Sequence, residues 1–72
     1  MTKQQFITIY REKVSALPWA NDAEKLQRFM QSVENTLAGA CTWNHDGPST
    51  VAAWREMGGK GKPTLKALRA LA

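Results

Sequence analysis

Leu26, Phe29, Met30, Val33 and Leu37 recur at intervals of 3, 1, 3 and 4 residues, the spacing that sets side chains along one face of a 3.6-residue helix. No strand produces that period, because successive strand residues face opposite ways. Asn21-Asp22-Ala23-Glu24 precedes the run, with Asn21 suited to the N-cap and two acids placed to meet the positive end of the helix dipole. The pattern predicts a helix over about 22–38 with Gly39 as its stop, although Ala38 to Cys41 offer one further turn.

The rest of the chain follows the same logic. Thr2-Lys3-Gln4-Gln5 has the form of a capping box, and Phe6, Ile9, Tyr10, Val14 and Leu17 continue a stripe behind it. Ile7 lies off that stripe. Pro18 ends this first helix (about 3–17), because the residue before proline is pushed out of the α region. Residues 42–48 are rich in Asn, Asp, Gly and Pro and predict a loop, with Asp46 as a cap. A third helix is expected over 49–57, burying Val51, Trp54 and Met57 and stopping at Gly58-Gly59. A fourth, over 63–71, sets Leu65, Leu68 and Leu71 on one side and Lys66 and Arg69 on another. The expected fold is a single all-α domain, residues 1–72, in which four helices form a small compact bundle. Helices one and two make a hairpin, and the last two form a helix–turn–helix-like pair.

Size and composition limit the chemistry. A chain of 72 residues is near the lower limit for folding without staples, and one cysteine excludes an internal disulfide. Stability must come from helix packing, as a monomer or with help from weak homodimerisation. No apolar run approaches the ~18–20 residues that span a bilayer, and charge enters the N-terminus too early for a signal peptide. A complete short reading frame encoding a reduced, cytoplasmic protein is therefore expected. Cys41, His45 and Asp46 do not make a metal site, since further ligands are missing, and no cofactor is implied. Cys41 reads as a small buried hydrophobe and His45 as a surface residue. The scattered carboxylates form no acid–base dyad, so the chain reads as a non-enzyme.

One feature points to a partner. Residues 58–72 hold Lys60, Lys62, Lys66 and Arg69 and no acid, so this segment carries the whole net charge of +4. It is not a nucleotide-binding P-loop, because Glu56 stands where the first glycine is required and Pro63 interrupts the Gly-Lys-Thr end. Presented from a helix–turn–helix-like pair, Lys60, Lys62, Thr64, Lys66 and Arg69 would face nucleic acid, each cation neutralising about one phosphate. The same lysines also serve plain solubility. The alternative is a protein-interaction module or inhibitor that uses exposed apolar surface near Trp43, His45 and the third helix. A short, tryptophan-rich helical chain of this kind also resembles bacterial or bacteriophage accessory proteins.

Overall fold

The structure, a computed structural model that describes residues 1–40, 43 and 45–72, contains four α-helices and a short 3₁₀ helix and, among those residues, no strand. The small all-α bundle read from the sequence is the fold observed. The expectation for Cys41 falls outside the described residues.

Helix α1 spans Lys3–Ser15 and opens with the reciprocal capping box: the Gln5 N–H donates to Thr2 Oγ1 at 3.0 Å, and the Thr2 N–H to Gln5 Oε1 at 2.9 Å. Its Phe6, Tyr10 and Val14, one turn apart, are fully buried. The helix ends three residues before Pro18, which instead starts a 3₁₀ helix, Pro18–Asn21. Helix α2 spans Ala23–Leu37 and is capped by Asp22, one residue later than expected: Asp22 Oδ1 accepts from the N–H groups of Glu24 and Lys25. It buries Met30, Val33, Thr36 and Leu37, following the sequence stripe.

Helix α3, Gly47–Glu56, begins earlier than expected because Asp46 caps it, its carboxylate accepting from the Ser49 N–H at 2.9 Å. The packing face of α3 is rotated from the expected one. Ser49, Thr50, Ala53 and Trp54 are buried, whereas Val51 and Met57 are only half-buried. Ala53 is fully buried, and α1 packs more extensively on α3 than on α2.

Helix α4 is shorter than expected, Leu65–Arg69, with Thr64 as its cap. It follows α3 across the glycine turn, but its main helix contact is with α2. Leu68 and Leu71 enter the core, as their spacing implied, and Leu65 is half-buried against it. The tail is also tied to α1: the Lys3 N–H donates to Ala72 O at 3.0 Å, and the Lys3 ammonium reaches Leu71 O.

Arg69 turns inward to α2. Its Nε donates to Thr36 O at 3.0 Å and its Nη2 to Ala40 O at 2.6 Å, placing a cation on carbonyls at the negative end of that helix. Arg69→Met keeps the aliphatic stem and removes both bonds. It is expected to cost about 1.5–3 kcal/mol, measured by urea denaturation, the range for hydrogen bonds to a charged group. A loss below ~0.5 kcal/mol would show that the guanidinium is a bystander.

Candidate functional site

Four aromatic rings run in sequence from the core to the surface. Phe6 stacks on Tyr10 with centroids 5.4 Å apart, Tyr10 stacks on Phe29 at 6.1 Å, and Phe29 meets Trp19 edge-on at 5.0 Å. The two inner rings are fully buried, and the two outer rings are half-buried. Trp19 reaches this position because Pro18 breaks α1 and the 3₁₀ turn swings the indole over the second turn of α2. Phe29 sits on the edge of the α2 stripe, where one side packs inward and the other faces outward.

These outer rings floor an open cleft of about 450 Å³, lined among the described residues by Trp19, Lys25, Arg28, Phe29, His45 and Asp46. Lys25 and Arg28 are one turn apart on α2, so both cationic stems stand along the same rim. The Lys25 ammonium forms no ion pair or hydrogen bond with the described residues. Among the described residues, Arg28 has only a long contact to Glu24, at 3.8 Å, between two well-exposed side chains, an interaction worth little in water. Both charges are therefore available at little cost.

The opposite wall is His45-Asp46, and Tyr10 positions it. The Asp46 N–H donates to the buried Tyr10 hydroxyl at 2.8 Å, and Asp46 O accepts from the Thr50 hydroxyl and N–H. The Asp46 carboxylate is occupied by the α3 N-terminus, which offsets its charge. Burial pushes the Tyr10 phenol above its ordinary pKa of 10.0. Hydrogen bonds with the Asp46 backbone and the Thr50 hydroxyl oppose that shift, and the Asp46 charge reinforces it.

The residues expected to contact protein are placed unequally. Trp43 is half-buried and packs against the core, with the His45 imidazole stacked on it at 4.5 Å and 16°. His45 is exposed and lines the cleft. The apolar opening thus lies beside Trp19 and Phe29 and not along α3. Of its other members, Trp19, Lys25, Arg28 and Phe29, only Phe29 belonged to an apolar stripe read from the sequence, that of the second helix. Only the 3₁₀ turn, which no periodicity announces, brings them together.

The basic turn is held from within. Gly58 has φ +90° and closes α3 in a Schellman motif, its N–H donating to Arg55 O and the Gly59 N–H to Trp54 O, both at 2.9 Å. These N–H groups are consequently occupied. Gly59 lies against the Trp54 indole, whose Nε1–H donates to Lys60 O at 3.2 Å. Lys60, Lys62 and Lys66 are exposed and have no carboxylate partner among the described residues, but Arg69 does not share that exposure. Thr64 is exposed, and its hydroxyl accepts from the Ala67 N–H. No cluster of three or more His, Cys, Asp or Glu side chains occurs among the described residues, and no helix is long and apolar enough to cross a membrane. Comparison with protein-family models, curated proteins and solved structures finds no match to this chain.

Proposed function

We propose that the protein is a non-enzymatic interaction module that docks a protein partner at the cleft between the 3₁₀ turn, α2 and the 45–46 wall. One observation carries the reading: half-buried aromatic rings form the floor of an opening whose rim holds two exposed cations, of which Arg28 has a long, solvent-exposed contact to Glu24. Aromatic side chains offer rigid contact area with little entropy to lose, and a concave apolar floor suits the single anchor residue around which interfaces concentrate their energy. Five-residue α4 is too short to act as a recognition helix, and two of the turn's N–H groups are already bonded, so the nucleic-acid reading has less support. What favours it is the uncompensated exposure of Lys60, Lys62 and Lys66.

Affinity capture from a nuclease-treated bacterial lysate separates the two. Lys25→Glu/Arg28→Gln reverses the charge of the rim while leaving α2 intact, because an acid in the first turn complements the helix dipole and Gln is a good helix former. This variant is expected to lose a stoichiometric protein partner that the Lys60→Glu/Lys62→Glu/Lys66→Glu variant retains. The reverse pattern, or recovery of nucleic acid alone when nuclease is omitted, would transfer the function to the turn.

A further inference from the structure

The geometry points to an acidic peptide segment bearing an aromatic side chain as the occupant of the cleft, an inference that rests on the docking reading above. Charge complementarity selects the acidic class. The rim offers Lys25 and Arg28 on one side of the aromatic floor, while the only carboxylate among the described lining residues, Asp46, is bonded to the α3 N-terminus. A carboxylate flanking the anchor gains charge-assisted hydrogen bonds at the rim, and a guanidinium can donate two parallel N–H bonds to it. A basic flank would meet the same two cations and be repelled.

The floor selects an aromatic anchor. Trp19 and Phe29 pack edge to face and the His45 imidazole borders the opening, so three aromatic rings line the space that an entering planar ring would fill. A volume of about 450 Å³ accommodates one large side chain with part of its backbone. Single-stranded nucleic acid needs a different surface, several open ring faces strung along a cationic track. Here Lys60, Lys62 and Lys66 are outside the lining of the cleft, so among the described residues no extended cationic track adjoins the rings.

Isothermal titration of the intact chain with three capped pentapeptides tests the inference: a tryptophan flanked by two glutamates on each side, the same peptide with alanine at the centre, and the same tryptophan flanked by lysines. The glutamate–tryptophan peptide is expected to bind at least about tenfold more tightly than either control. Its affinity should fall about tenfold in Lys25→Glu/Arg28→Gln, a change of about 1.4 kcal/mol, and stay unchanged when Lys60, Lys62 and Lys66 are replaced by Glu. Preference for the lysine-flanked peptide, lost on Trp19→Ala, would overturn the acidic class and leave protein docking at the cleft in place. Displacement of the peptide by a short oligothymidylate sensitive to the rim variant would instead assign the cleft to nucleic acid. No peptide binding at millimolar concentration, together with full partner capture by the rim variant, would remove both this inference and the docking reading. Circular dichroism of each variant confirms that a lost signal is not lost fold.

Discussion

Tyr10→Ala is expected to leave the protein barely folded. Tyr10 is fully buried at the centre of the aromatic series, between Phe6 and Phe29, and its hydroxyl accepts the Asp46 N–H. Removing a large buried aromatic costs about 3–5 kcal/mol in transfer and cavity terms. A chain of this length has roughly 4–11 kcal/mol in total at the usual stability per residue, so the variant spends much of what is available. Tyr10→Phe isolates the hydroxyl. It keeps the ring and leaves the Asp46 N–H without its acceptor, and is expected to cost about 1–3 kcal/mol by urea denaturation. If Tyr10→Phe equals the parent chain, the Tyr10–Asp46 contact does not hold the wall of the cleft.

The phenol also sets a pH dependence with a definite sign. Its folded pKa lies above the unfolded value, so its contribution is complete below about pH 10 and lost as pH rises through the folded value. The parent chain should therefore lose more stability than Tyr10→Phe between pH 9 and pH 11. Equal losses would show that other groups drive the alkaline transition.

Gly59→Ala is the second large effect. A Cβ at this position would lie 2.3 Å from Cε2 and 2.5 Å from Cδ2 of Trp54, whose ring is buried and held by its bond to Lys60 O. The backbone of Gly59 is outside the left-handed region, so its cost comes from contact alone. We expect about 3 kcal/mol from forced displacement of the indole, and a melting temperature about 12–24 °C lower for a domain of this size. Gly58→Ala provides the contrast. Its Cβ would meet open space, but its φ of +90° carries the strain of a left-handed L-residue, about 1–2 kcal/mol. In a Trp54→Leu background the Gly59→Ala penalty should shrink, a non-additivity expected only if the two groups collide. A full penalty there would exclude the indole as its cause.

These glycines show what was legible in the sequence and what was not. Gly-Gly after an apolar stripe announced a helix stop, and the structure uses Gly58 for that. The need for Gly59 was invisible, because it arises from the return of the chain beneath a ring five residues earlier. The Thr2 capping box, the α2 stripe and the Asp46 cap were readable for the opposite reason: their partners lie within one or two turns. Arg69 looked like one more surface cation until α4 settled on α2 and placed its guanidinium at Thr36 and Ala40. The cleft was hidden in the same way. Its walls come from residues 19, 25–29 and 45–46, and only tertiary packing makes them neighbours.

The net charge therefore divides into two physical roles. Arg69 completes the fold, Lys60 and Lys62 remain on an ordered turn and Lys66 on α4, while the aromatic cleft has cations of its own. Photocrosslinking tests most directly which surface meets the partner. A benzophenone side chain introduced in place of Lys25 is expected to form a covalent adduct with the captured protein, and one in place of Lys62 is expected to form none. Adducts from position 62 with none from position 25 would contradict the assignment of the partner to the cleft.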